Sequence, residues 1–251
     1  MLRVDDEGSV RRVRLWRPEV RNAFNEELIH GLTVAFQDIG AGTRVVMLSG
    51  EGKAFCAGGD LDWMRRAAGC TFDENVADAL RLAGLFQAIQ RCPAAVIARV
   101  HGAVFGGGCG LVAAADVAVA ASDTLFAFSE VRLGVIPATI STVVTPKIGA
   151  GHARALYTTG ETFGADRALQ IGLIHESVPP GELDGAVEAK VKSVLSAGPQ
   201  AVAASKALAL DHPLDLEEAA RRLAGTRAGA EAREGIDAFL DKRKASFVEV
   251  L

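Results

Sequence analysis

Across 251 residues, 49% of the side chains are hydrophobic, 23% are charged and only 8 are proline, which suits one substantial core and excludes a disordered chain. The 27 basic and 31 acidic residues leave a formal net charge of −4 with no long block of one sign, so no broad surface for nucleic acid is indicated, although a small phosphate-bearing ligand is compatible. Cys56, Cys70, Cys92 and Cys109 lack C-x-x-C spacing, and no charged leader precedes an apolar stretch at the start, which reads as a reducing, cytoplasmic setting without structural zinc. The longest apolar run, Leu111 to Ala121, is interrupted by Asp116 and is shorter than the about 20 residues a membrane span needs, so no membrane insertion is expected.

Strand-like and helical patterns alternate along the first two thirds. Val10 to Trp16 reads as a strand, Asn25 to Ile39 as a helix, Arg44 to Ser49 as a strand, Phe72 to Ile89 as a helix and Ala94 to Val100 as a strand. Such alternation predicts βα units and an α/β layer architecture. Leu28, Leu32 and Phe36 recur at helical spacing behind Asn25, a suitable N-cap, so this helix should lay an apolar stripe on a sheet. Pro179-Pro180-Gly181 then punctuates a change of texture. Beyond it the spacing of Val187, Val191, Val194 and Leu195, and later of Ile236, Phe239 and Leu240, predicts helices, with turns at Gly198-Pro199 and His212-Pro213. The chain accordingly divides into residues 1–180 and a helical region, residues 181–251.

Two glycine-rich stretches each follow a strand-like run and precede a helical one: SGEGKAFCAGGDLDWM, Ser49 to Met64, and VHGAVFGGGCGL, Val100 to Leu111. Gly58 and Gly59 permit close approach to a ligand or positive φ, and Asp60 suits the first turn of the next helix. The triplet Gly106-Gly107-Gly108 at the mouth of a helix presents unblocked N–H groups that attract negative charge. A single glycine cluster is more often a tight turn, and neither stretch is a P-loop or has the G-x-G-x-x-G spacing of a dinucleotide site. A third segment, FSEVRLGVIP, places Glu130 in a mostly apolar string, where a carboxylate needs a partner or a chemical task. Its plain alternative is a helix-terminus or ion-pair role, with Arg132 as the nearest cation in sequence.

KAFCAGGDL, IARVHGAVFGGGCGLVAAADVAVA and SEVRLGVIPATIS, followed by ALYTTGETFGADRALQIGLIHESV and REGIDAFLDKRKASF, resemble the crotonase superfamily of acyl-CoA enzymes nearly end to end. The wording of SEVRLGVIPATIS is similar to the bacterial branch that includes methylglutaconyl-CoA hydratase-like enzymes. The resemblance implies a spiral of ββα turns as the core, a helical C-terminal trimerisation region, and a homotrimer or a hexamer made of two trimers. It implies that Gly59 and Gly107 supply two peptide N–H donors to the thioester carbonyl and that Glu130 is the catalytic acid/base. Ala57, Gly59, Asp60 and Leu61 would surround the CoA part, Gly107 and Gly110 would be further substrate-binding residues, and Arg17 and Arg21 would be candidates for its phosphates. A lysine common in the family three residues after the first oxyanion glycine is Asp62 here, so that contact is lost or supplied elsewhere, with Lys242, Arg243 and Lys244 as candidates from a neighbouring subunit. No separate cofactor is implied, because coenzyme A belongs to the substrate, and no metal.

One departure bears on the reaction. Hydratases of the two-glutamate type carry a second carboxylate two residues after the glycine triplet, where this chain has Gly110. Two carboxylates hold a water between them as base and acid, whereas one more simply shuttles a proton between neighbouring carbons. The expectation is an enoyl-CoA hydratase acting on 2-enoyl-CoA thioesters in fatty acid metabolism. A 3,2-enoyl-CoA isomerase is the alternative, and a weakly catalytic CoA-thioester-binding protein the reading from a different class. Cys109 has no histidine motif beside it and reads as a small buried hydrophobe, and His101 as a residue that hydrogen-bonds its turn. Acyl specificity is assigned to a wall somewhere between Trp63 and Leu85, with Phe72 and Phe86 either lining it or packing the core.

Overall fold

A computed structural model describes residues 1–249. Strands β1 (Leu2–Glu7), β2 (Val10–Leu15), β3 (Val45–Gly50), β5 (Ala95–Val100), β7 (Val117–Ala121) and β10 (Glu176–Val178) form one sheet in the order β1-β2-β3-β5-β7-β10, and all pairs except β1 with β2 are parallel. Short strands β4 (Ala54–Cys56), β6 (Ala103–Phe105), β8 (Leu125–Ala127) and β9 (Thr162–Gly164) form a second sheet in that order. Each of β3, β5 and β7 turns a corner into β4, β6 or β8 and then gives way to helix. The result is a ββα spiral repeated along the chain.

The central strands are buried along almost their whole length, as expected where both faces of a parallel sheet are covered. Alternate residues diverge to opposite faces. Val46, Leu48, Val96, Ala98, Ala118 and Ala120 enter the main core with α1 (Glu26–Gln37), while Val45, Met47, Ile97 and Val119 meet Val187, Val191 and Leu195 of α7 (Leu183–Leu195). The C-terminal helical region therefore opens with a helix that closes the outer face of the sheet. At one corner Gly102 has φ +63°, and a side chain there would run into the Lys53 carbonyl of the preceding corner. Glycine lets successive corners stack backbone on backbone.

Asn25 caps α1 by accepting from the Leu28 N–H at 2.9 Å, and Leu28, Ile29, Leu32, Ala35 and Phe36 form its buried stripe. Asp60 caps the short α2 (Leu61–Ala67), and a Thr71–Glu74 capping box opens α3 (Phe72–Arg91). Only Leu85, Phe86 and Ile89 of α3 are buried, so Phe86 packs the core while Phe72 is 81% exposed. After α4 (Gly107–Ala114) come α5 (Ala138–Thr159), kinked at Gly149, and α6 (Ala165–Gln170). The last helices, α8 (Pro199–Leu210), α9 (Leu216–Ala228) and α10 (Ala230–Leu240), bury little in this single chain. Ile236, Phe239 and Leu240 are exposed beside a cavity of about 570 Å³ between these helices. Among the described residues no helix is long and apolar enough to cross a membrane.

The sequence pattern had not marked β1, a charged edge strand whose exposed face lacks apolar alternation, nor the three-residue strands of the second sheet.

Candidate active site

Leaving β4, the chain reaches Gly59 in a segment clamped by one residue from a distant loop. The Phe24 N–H donates to the Gly58 carbonyl at 2.7 Å, and the Asp60 N–H donates to the Phe24 carbonyl at 2.8 Å. The peptide is held on both sides, yet the Gly59 N–H has no acceptor among the described residues. Gly107 is the first residue of α4, and its N–H is one of the donors a helix start leaves without an intrahelical partner. Phe24 joins the two loops: its ring lies where a Cβ on Gly107 would stand, 2.6 Å from Cε2 and 2.9 Å from Cδ2.

Glu130 lies beside this junction. A Cβ built on Gly106 would be 3.2 Å from Glu130 Oε1 and 3.9 Å from the Gly58 Cα, so carboxylate and both glycine loops meet at one place. Glu130 opens a short 3-10 turn that ends at Gly134, and the Val135 N–H donates to its carbonyl at 3.2 Å. Its Oε2 is buried with no hydrogen-bond partner. Burial raises its pKa above the ordinary glutamate value, partly offset by a hydrogen bond from its own peptide N–H. Arg132 does not pair with it, since its Nε donates to the Gly160 carbonyl at 2.7 Å. A half-buried carboxyl poised to take or give a proton, next to two unsatisfied N–H donors, can manage an acyl group whose oxygen gains charge.

Three of the eight residues of α4 are glycine, each costing a helix about 1 kcal/mol relative to alanine. Packing accounts for them. Gly107 faces the Phe24 ring, Gly108 lies on the Cys56 carbonyl, and a Cβ on Gly110 would be 2.6 Å from Phe86 Cζ and 3.0 Å from Ile140 Cγ2. The volume in which a second carboxylate would begin is therefore filled by hydrocarbon.

The remaining candidates divide. Ala57 donates its N–H to the Arg21 carbonyl at 3.0 Å, which ties the first glycine stretch to the RPEVRNAFN loop. The Asp60 carboxylate accepts from the Asp62 N–H at 2.9 Å and pairs with Arg17 at 2.8 Å, and the Arg17 hydrogen bond holds its pKa below the ordinary value. Arg17 also donates to the Ala23 carbonyl, so its guanidinium is engaged within the protein. Arg21 is exposed and forms no ion pair among the described residues. Leu61 is 72% exposed at the start of α2, Asp62 pairs with Arg65, and Arg243 pairs with Glu234. Cys109 Sγ donates to the Val104 carbonyl at 3.1 Å, and burial pushes its thiol far up, which suits a packed hydrophobe rather than a nucleophile. His101 Nε2 lies 2.9 Å from the Gly52 carbonyl. Among the described residues no cluster of His, Cys, Asp or Glu is arranged to hold a metal.

Sequence reading had passed over Phe24 and Asn22. Asn22 is fully buried with φ 56°; its Oδ1 accepts from the Arg17 N–H at 2.9 Å, and its Nδ2 donates to the Glu51 and Ala54 carbonyls, both at 2.8 Å. An asparagine between exposed arginine and buried apolar residues was the available signal, because asparagine tolerates left-handed φ and carries both donor and acceptor.

Spiral core, helical C-terminal region and paired loop amides define a member of the crotonase superfamily. Comparison with known proteins agrees: the family model for enoyl-CoA hydratase/isomerase matches residues 5–249. A crotonyl-CoA hydratase of Syntrophomonas wolfei is 34% identical over 244 residues, 92% of each chain. The crystal structure of an enoyl-CoA hydratase from Shewanella pealeana superposes with a TM-score of 0.92 at 36% identity, over 98% of this chain and 95% of that one. That of an enoyl-CoA hydratase from Mycobacterium smegmatis gives 0.92 at 37% identity, over 98% of both. The chain belongs to the enoyl-CoA hydratase/isomerase family.

Proposed function

We propose that this protein is an enoyl-CoA hydratase that adds water across the double bond of a 2-enoyl-CoA thioester. The observation that carries the reading is the approach of the two glycine loops, at Gly58 and Gly106, to the Glu130 carboxylate, whose Oε2 is buried without a partner, with the Gly59 and Gly107 N–H groups of those loops left without acceptors among the described residues. The thioester oxygen would accept from both amides. As a water oxygen bonds to C3, the Glu130 carboxylate takes the water proton and the electron pair of the double bond moves to the thioester oxygen. The resulting enolate then receives the proton from Glu130 at C2, which restores the carboxylate. Donors aimed at the growing charge stabilise the enolate more than the neutral ester, and one such donor contributes about 2.7–4 kcal/mol to the barrier reduction. Coenzyme A enters as part of the substrate, with Arg21 near its phosphates, and no separate cofactor takes part.

The packing at Gly110 favours a second reading, a 3,2-enoyl-CoA isomerase. With Phe86 and Ile140 filling that side, Glu130 alone would take a proton from C2 and return it to C4. Retention of a buried carboxylate speaks against a mere thioester binder, since burying it unpaired costs stability. The exposed apolar Ile236, Phe239 and Leu240 support assembly with further copies of the chain, which the proposal takes to be a homotrimer or a pair of trimers. The deciding experiment offers a panel of 2-enoyl- and 3-enoyl-CoA thioesters, a glutaconyl type included. Mass gain of one water with loss of enoyl absorbance supports the hydratase; conversion of 3-enoyl substrate at constant mass supports the isomerase; no turnover of any substrate refutes both.

A further inference from the structure

At the end of α4 opposite the reacting groups, the molecule buries a second cluster of charge. Lys147, on α5, directs Nζ at the carbonyls of Val112 at 3.4 Å, Ala113 at 3.3 Å and Ala115 at 3.0 Å. The first two belong to the last turn of α4, where carbonyls lack intrahelical amide partners. One residue further on, Asp116 accepts from the Val96 N–H and from Lys206 Nζ of α8, both at 2.7 Å, and its own N–H donates to the Val96 carbonyl at 3.0 Å. His175, whose pKa is lowered by burial and by Lys147, accepts the Ala118 N–H at 2.9 Å beside them.

The helix needs such an anchor. Its sequence, GGCGLVAA, carries no charged side chain, no side chain caps its start, and its last turn has no cation of its own. Glycine and alanine offer shallow ridges against sliding along the axis, and the glycines weaken the helix itself. Burial draws the Lys147 pKa down to about 8, so at neutral pH it still carries its proton. A cation at the carbonyl end complements the helix dipole whose positive end is Gly107.

We infer that Lys147 is a positioning residue for the oxyanion amide: by gathering the terminal carbonyls of α4 it sets the axial position of the helix and so the place of the Gly107 N–H. The two ends are about 12 Å apart for an eight-residue helix, a distance over which the rod transmits a shift undiminished. The inference rests on the reading of Gly107 as a thioester-oxygen donor.

The test compares full-length wild type with Lys147→Met, Lys147→Gln and Lys147→Arg, using a conjugated enoyl-CoA thioester whose absorbance shifts to the red when its carbonyl is polarised. In the neutral variants the red shift of bound thioester should shrink and kcat fall about tenfold or more with KM within about twofold, because small misplacements act on the transition state. Lys147→Arg should recover part of both. An unchanged red shift in a folded neutral variant overturns the inference whatever kcat does. Failure of both neutral variants to fold also overturns it, since Lys147 would then hold up the whole fold. Absence of a red shift in wild type would instead refute the oxyanion reading itself.

Discussion

Replacing Gly107 with alanine puts one methyl group into space held by the Phe24 ring. The new Cβ would stand 2.6 Å from Cε2 and 2.9 Å from Cδ2. Carbon atoms pack at about 3.5–4.0 Å, so the overlap is about 1 Å and something must yield. Overpacking of this kind costs about 1–3 kcal/mol. Alanine returns about 1 kcal/mol of helix propensity, leaving a net loss of about 0–2 kcal/mol. At this chain length that lowers the melting temperature by only a few degrees, at about 2–4 °C per kcal/mol. Activity should respond differently. Phe24 is hydrogen-bonded through its main chain to both Gly58 and Asp60, so the adjustment falls on the start of α4 and moves the Gly107 N–H away from the place proposed for the thioester oxygen. Losing one such donor reduces kcat by about 10²–10³-fold. The assay follows decay of enoyl-thioester absorbance at saturating substrate, paired with thermal melts. Adding Phe24→Leu should relieve the overlap and return part of kcat, a non-additivity expected of residues in contact. Gly107→Ala with wild-type kcat and an unchanged melting temperature would refute the reasoning.

Glu130→Gln should lower kcat by about 10²–10⁴-fold and leave the red shift of bound thioester intact. Because burial raises the Glu130 pKa in the folded state, its stabilising effect is complete below the unfolded value and is lost as pH rises through the folded one. The variant should therefore gain melting temperature over wild type as pH rises from about 4 to about 7, and a difference that stays flat would count against the burial argument. Asn22→Ala strands two carbonyls and an N–H and should cost about 1–3 kcal/mol in urea unfolding with an unchanged m-value. Gly110→Glu should destabilise without raising hydration, since its Cβ overlaps Phe86 and Ile140; a hydration rate above wild type would show that the slot can be reopened.

Features written in neighbouring residues were legible without coordinates. The Asn25 cap, the Leu28–Leu32–Phe36 stripe, strands β2, β3 and β5 and the start of the C-terminal helices follow from periodicity and local capping, which depend on residues within a few positions of one another, whereas β7 was not marked. Glu130 stood out because a carboxylate in an apolar string is costly. The SEVRLGVIPATIS segment and the glycine stretches carried the family resemblance through residue identity alone.

What only the folded chain decided were the contacts between segments remote in sequence. That Phe24 clamps Gly59 with its main chain and Gly107 with its ring, that Arg132 turns to Gly160 and leaves Glu130 alone, and that Phe86 fills the space beside Gly110 depend on which elements the spiral brings side by side. Arg17 looked like a phosphate ligand in sequence, and the structure turns it inward onto Asp60. Periodicity specifies which face of a strand or helix is buried; it carries no information on which distant side chain will meet that face. The meeting of the two glycine loops with the Glu130 carboxylate is set by that second kind of contact.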